Sequence, residues 1–397
     1  MTSNEVCLGD FYPVRGGSVN PSKYVDETFE LFSIPAYDRG QADKLPGSKI
    51  ESSKKLFKPN DVLLSRIVPH IRRCWIVPQE KGLRQIGSGE WIVFRSGNMF
   101  PGYLRYYLLS DLFNSKFMST VKGIGGSLLR ADPKQVSKFK IPLPPLDEQK
   151  QIAAILDAAD ELRQKDKALI AKYDELTQSL FLDMFGDPVT NPKGWETKSI
   201  EQLIIQQKGA LKRGPFGGAL KKEIFVNEGY LVYEQYHALN NDFTMARYFI
   251  DENKFKELQG FEVKPGDIII SCSGVNLGRL AIVPKEAKKG IINQALLKLT
   301  LDNEIMSNIL FTYIFTDVNF KGKFFGFQRG SGVPNFPPMS TFKRFKFICP
   351  PRKVQKQFAE RIQAMEAQKM LASESLIKSE DLFNSLLQKA FKGELTR

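Results

Sequence analysis

Residues 57–78, FKPNDVLLSRIVPHIRRCWIVP, align without a gap on residues 263–284, VKPGDIIISCSGVNLGRLAIVP, at an offset of 206. Eight of the 22 positions are identical, among them Lys58/Lys264, Pro59/Pro265, Asp61/Asp267 and Arg73/Arg279. Most of the others exchange one apolar residue for another. The same offset lays FKIPLPPLDEQKQIA (139–153) over FKFICPPRKVQKQFA (345–359) and matches Leu176/Leu382, Ser179/Ser385, Leu180/Leu386 and Phe185/Phe391. One register kept over three separated blocks means that the chain is two copies of one unit of about 200 residues.

Each copy begins with a mixed segment and ends with a helical one. In the mixed segments, the apolar runs Val62–Leu64 and Ile268–Ile270 follow a Pro-x-Asp turn and meet a second run at Trp75–Val77 and Leu280–Val283. A Pro-Pro pair then opens each helical segment. In 147–185 the positions 152, 155, 159, 162, 166, 169, 173, 176 and 180 form an apolar seam broken only by Asp166. In 353–392 the seam is read at 358, 362, 365, 369, 372, 376, 379, 383, 386 and 390. Neither segment holds Gly or Pro before Gly186 and Gly393, which stand where C-terminal caps belong. A helix of nearly 40 residues is about 55–60 Å long. One apolar seam needs a partner, so the two helices are expected to pair with each other, antiparallel, as a coiled coil.

The charge balance bears on function. Lys and Arg number 57 against 44 Asp and Glu, a net charge of +13. A field of that sign attracts polyanions. With four scattered cysteines, no CxxC unit and two histidines, a zinc site is not expected. No stretch approaches eighteen consecutive apolar residues and no secretory signal is visible, so a cytoplasmic protein is expected.

The basic residues of the mixed segments are interleaved with aromatic and amide side chains. In the first copy Arg66, Arg72 and Arg73 surround His70, and Lys122 and Arg130 flank the run Gly123–Gly126. In the second, Lys212, Arg213 and Lys221 lie in GALKRGPFGGALKK (209–222), Arg279 repeats Arg73, and Arg329 lies in the loop 328–338. Glycine-rich basic loops let backbone amides approach phosphate while Lys and Arg neutralise it. These ten cations are the candidate DNA contacts. The repeated Arg73 and Arg279 suit either a phosphate contact or a structural ion pair with Asp61 or Asp267. The unshared Arg66, Lys212, Arg213 and Arg329 suit base reading.

Taken together, PLPPLDEQKQIAAILDAADEL (142–162), GPFGGAL (214–220), KPGDIIIS (264–271) and the NPKGW entry at 191–195 resemble recurring blocks of type I restriction-modification specificity subunits, and the likeness covers nearly the whole chain. That resemblance implies an α+β fold: two pseudo-repeated α/β target recognition domains, joined and spaced by two long antiparallel coiled-coil helices. The expected boundaries are 1–144 and 186–349 for the domains, and 145–185 and 350–397 for the helical spacers. The resemblance implies that each domain reads one half of a split, gapped duplex site. It further implies that the helices dock two methyltransferase subunits, which restriction/translocase subunits can join. S-adenosylmethionine, ATP and Mg2+ are then expected in those partners, with no cofactor, metal or catalytic residue in this chain. Arg352, Lys353 and Val354 stand where the first copy has Leu146, Asp147 and Glu148, so the two docking contacts need not be equivalent. Two other readings are a coiled-coil interaction scaffold and a Mg2+-dependent nuclease built on scattered carboxylates.

Overall fold

The computed structural model describes residues 4–13, 17–95, 97–123, 129–274, 276–326 and 336–395. The chain divides into two compact units, Met1–Leu169 with Ala372–Arg397, and Ile170–Leu371. Each unit therefore holds one mixed domain and a part of each long helix.

The first unit contains strands β1 (Asn4–Cys7), β2 (Ser18–Val19), β3 (Thr28–Phe32), β4 (Asp43–Pro46), β5 (Lys54–Leu56), β6 (Val62–Ser65), β7 (Cys74–Ile76), β8 (Arg84–Gly87), β9 (Trp91–Phe94), β10 (Val121–Lys122), β11 (Arg130–Ala131) and β12 (Lys140–Leu143). Five of them form a sheet in the order β2-β5-β8-β3-β4, with β3 and β8 parallel. A second, antiparallel sheet has the order β7-β6-β9. Every residue of β6 and β9 is buried, which is why these runs are continuous and not alternating in apolar character.

The second unit repeats the plan with β13 (Thr197–Ser199), β14 (Leu211–Arg213), β15 (Tyr230–Tyr233), β16 (Phe249–Ile250), β17 (Glu262–Val263), β18 (Ile268–Ser271), β19 (Leu280–Ile282), β20 (Gly290–Ile292), β21 (Leu296–Leu299) and β22 (Lys346–Ile348). Its sheets run β16-β15-β20-β17 and β14-β21-β18-β19, again with one parallel pair, β15 and β20. The copies differ in the hairpin β10–β11, which has no counterpart among the described residues of the second unit, and in the place of one strand. β2 pairs with β5, whereas β14 lies along β21.

The repeated Lys-Pro-x-Asp block is a turn that launches β6 and β18. Asn60 and Gly266 both take a positive φ, 69° and 86°. The following aspartate is buried and accepts the backbone N–H of Lys58 or Lys264 at 2.8 Å in both copies. Cys74 and Cys272 lie in the cores, where burial pushes both thiols up to about 12.

The long helices span Leu146–Phe185 and Arg352–Lys392. Gly186 and Gly393 follow them with φ of 75° and 72°, the left-handed conformation that ends a helix. The Pro-Pro-x-x-x-Gln block explains how each helix is tied to its domain. Gln149 is buried, accepts the N–H of Phe100 at 2.7 Å and donates to the carbonyls of Asn98 and Pro144. Gln355 does the same with Ser307 N–H at 2.8 Å and the carbonyls of Ile305 and Pro350.

The helices pair antiparallel within each unit. In the first, the Arg163 guanidinium stacks 4.3 Å from the Phe383 ring, and Lys167 reaches Glu380 at 3.0 Å. In the second, Lys369 bonds Asp174, and the rings of Phe181 and Phe358 lie 6.1 Å apart. Asp166, the polar break in the first seam, accepts Ser379 Oγ at 2.7 Å and Ser375 Oγ at 3.2 Å. The seam expected for the C-terminal helix is buried or half-buried throughout. That of the central helix is half right. Positions 152, 159, 166, 173 and 180 face inward, but the alternate row is 156, 163, 170, 177 and 184, one residue later than the sequence suggests. Ile155, Leu162, Leu169 and Leu176, the more apolar row, are 38–48% exposed. Periodicity ranked the rows by hydrophobicity. Leu156 and Met184 pack into the hydrophobic clusters, Arg163 lies over Phe383 of the C-terminal helix, and Thr177 bonds Tyr313, which turns this row inward.

Candidate nucleic-acid interface

The basic excess belongs to the mixed domains. Residues 1–144 hold 21 Lys and Arg against 13 Asp and Glu, and residues 186–349 hold 22 against 16, so the helical segments are close to neutral. A polyanion is thus attracted to the domains and not to the long helix that follows each of them.

The five candidates of the first domain are all ion-paired. Arg66 and Arg130 converge on Glu90 at 3.4 and 3.0 Å. Arg72 meets Asp111 at 2.6 Å and donates to the Leu109 carbonyl, and Lys122 meets Asp132 at 3.0 Å. Arg73 makes a two-pronged contact with Asp38 at 2.6 and 2.9 Å. Exposed pairs are worth about 0–1 kcal/mol, so the exposed Arg72 and Lys122 can exchange a carboxylate for a phosphate, whereas Arg66 and Arg130 share a half-buried Glu90. The Arg73 side chain is only 9% exposed and is committed to the fold.

The expected ion pair of Arg73 or Arg279 with the repeated aspartate does not form. Asp61 is taken by Arg95, at 2.6 Å to each carboxylate oxygen, and Asp267 accepts Thr300 Oγ1 at 2.5 Å. Each aspartate already holds its own turn and faces the neighbouring strand, away from the arginine. The two arginines of one repeat position have therefore diverged. The Arg279 side chain is exposed and, among the described residues, has no ion pair.

The second domain differs in kind. Among the described residues, Lys212, Arg213, Lys221 and Arg279 have no carboxylate partner. Lys212 Nζ lies 4.0 Å from the Phe261 ring centroid, and the Arg213 guanidinium 5.2 Å from that of Phe216. Arg213 Nε is buried without a hydrogen-bond partner. Arg329 and residues 124–126 of the Gly123–Gly126 run lie outside the described residues. Phe216, 67% exposed, is not among the ten cations that the sequence singles out. Its signal was an aromatic residue between glycines in a run of cations.

The carboxylates that a nuclease reading would use are engaged. Asp157 accepts Tyr106 OH at 2.6 Å, Asp160 meets Arg163, and Glu161 meets Lys165 at 2.7 Å. Among the described residues no group of three or more His, Cys, Asp or Glu is placed to hold a metal ion. No described helix is long and apolar enough to cross a membrane.

A relative from Methanocaldococcus jannaschii, the type I restriction enzyme MjaVIII specificity subunit, is 24% identical over 384 residues, covering 91% of this chain and 85% of that protein. The StySPI specificity subunit of Salmonella potsdam is 23% identical over 318 residues, covering 75% and 66%. Among solved structures, a chain from work on complex assembly and conformational transition of the type I R-M system superposes with a TM-score of 0.61 at 18% identity, covering 99% of this chain and 98% of that one. The S subunit of a type I restriction-modification system from M. genitalium gives 0.56 at 13%, covering 98% and 96%. At such identities the structural likeness is one of fold. The family described as the type I restriction modification DNA specificity domain matches residues 2–172 and again 192–378, and with both copies of its repeat accounted for, this chain belongs to that family.

Proposed function

We propose that this chain is the DNA-reading subunit of a type I restriction-modification enzyme, in which each mixed domain, 1–144 and 186–349, reads one half of a gapped duplex site. The observation that carries the reading is the duplication itself: two copies of a DNA specificity domain in one chain, each holding the excess of cations. Cations on the domains hold the phosphate backbone and fix register, while Arg and Asn side chains read base edges. The long helices together carry almost no net charge, and the central one presents an exposed apolar row, Ile155, Leu162, Leu169 and Leu176; in this reading the helices dock two methyltransferase subunits. Those subunits would bind S-adenosylmethionine and transfer its methyl group to adenine, and the restriction/translocase subunits would use ATP and Mg2+. In this reading the chain has no catalytic centre.

The purified chain alone is expected to transfer no labelled methyl group and to cut no DNA. Added to two copies of a methyltransferase subunit it is expected to confer methylation of a split adenine-containing motif, which sequencing of methylated bases in cells carrying the system would reveal. Methyl transfer by the chain alone, or a contiguous ungapped motif, would overturn the reading.

A further inference from the structure

The loop that leaves β14 is rigid at its root and bare at its tip. Arg213 pairs across to Leu297, and Gly214 N–H donates to the Leu296 carbonyl at 2.9 Å. A Cβ at Gly214 would fall 1.8 Å from the Asn293 carbonyl oxygen, so only glycine lets the chain turn away so close to the sheet. Pro215 then fixes φ. Beyond it stands Phe216, the only exposed phenylalanine among the described residues, at 67%.

The surroundings of the ring select its partner. Arg213 lies over one side of it. Lys221 folds back on the loop, since a Cβ at Gly218 would lie 2.6 Å from its Cε. The carboxylate of this segment, Glu223, is exposed and pairs with none of these cations. The buried Arg213 Nε, without an acceptor, leaves a donor for a group brought from outside. An exposed ring beside Arg213, on a loop that also carries Lys221 and pairs neither cation with a carboxylate, fits a polyanion that offers an apolar slot. The space between stacked bases, flanked by phosphates, is such a slot.

We propose that Phe216 is a wedge that the second domain inserts between adjacent base pairs of its half-site, with Arg213 and Lys221 neutralising the flanking phosphates. The proposal rests on the DNA-reading function above. Apolar wedges partly unstack one step and kink the duplex, and pyrimidine–purine steps yield most easily. The half-site read by the second domain is then expected to carry such a step at a position without base-edge contacts.

The test uses the full-length chain and duplexes that it enriches from a random-sequence pool, with 2-aminopurine placed at each position in turn. Wild type is expected to raise 2-aminopurine fluorescence at one step. F216A is expected to lose that rise and to bind about ten- to a hundredfold more weakly, the scale of one stacked ring. F216L, still an apolar wedge, is expected to keep most of both. Because the side chain is exposed, the unfolding midpoint of F216A should match wild type. Unchanged affinity and fluorescence in F216A would overturn the proposal, as would weakened capture of a methyltransferase subunit with DNA binding intact. If wild type enriches no duplex, the DNA-reading function fails first, and the wedge with it.

Discussion

At the scale of the residue, identity in both copies marks a shared structural task at Gln149 and Gln355. Gln149 and Gln355 each satisfy one backbone N–H and two backbone carbonyls in a buried setting. Replacing either by Ala leaves those groups without partners, and urea unfolding is expected to show a loss of about 2–3 kcal/mol. The Arg73/Arg279 pair is the exception, because the position is shared and the environment is not. Arg73→Ala is expected to lower the unfolding midpoint. The Arg73 guanidinium holds the Asp38 carboxyl below its usual range by direct hydrogen bonding. A carboxylate with a depressed folded-state pKa stabilises above the ordinary range near pH 4 and loses that contribution as pH falls through it. The stability gap between wild type and Arg73→Ala should therefore be open at neutral pH and close below about pH 4. Arg279→Ala should leave the midpoint in place, weaken binding to all DNA sequences alike and reduce the salt slope by about one. An unaltered salt slope would remove Arg279 from the phosphate contacts.

At the scale of the element, the central helix has two apolar rows. One packs against the C-terminal helix and the domains. The other, Ile155, Leu162, Leu169 and Leu176, repeats every seven residues in solvent. The C-terminal helix has Arg361, Gln368, Ser375 and Leu382 at the corresponding repeat positions, so the row is not duplicated. Exposed leucines forgo their burial energy in the free chain, and a heptad row suits a partner helix. The double variant Leu162→Glu with Leu169→Glu is expected to unfold within about 0.5 kcal/mol of wild type, as surface changes do. It should weaken capture of a methyltransferase subunit at least about tenfold, since each buried leucine contributes on the order of 1.5–3 kcal/mol. Equal capture by wild type and variant, in a pull-down at matched concentrations, would exclude this row from docking. Asp166 with Ser375 and Ser379, and Asp174 with Lys369, add polar pairs that fix one register between the helices.

At the scale of the whole molecule, duplication gives two readers in one polypeptide; a helix of 40 residues joins them in sequence and one of 41 residues follows the second. Two half-sites read by such a pair are separated by a fixed number of unread base pairs, by the same geometry that sets half-site spacing in dimeric readers. Removing one heptad from each helix at register-matched positions is expected to change the gap and leave both half-sites as they were. Mapping of methylated adenines in cells carrying the shortened chain would decide. A change in the half-sites themselves would mean that the helices take part in base reading.

The sequence alone determined the features that repeat or that a short stretch of backbone enforces. These are the duplication, the Lys-Pro-x-Asp turns, the extent of both helices and their glycine caps. Each follows from local sterics or from self-similarity, which a string of residues carries in full. It also placed the excess of cations in the chain as a whole, though not their partners. Tertiary structure decided the rest. Asp38 is 35 residues from Arg73, and nothing in either segment announces that the two meet. Arg279 occupies the same position of the repeat and stays in solvent. The inward row of the central helix was likewise decided by what packs on it, because periodicity reports that a face is apolar and not which neighbour covers it. Phe216 could be read as core, turn or contact until the sheet beneath it fixed the loop and left the ring outside.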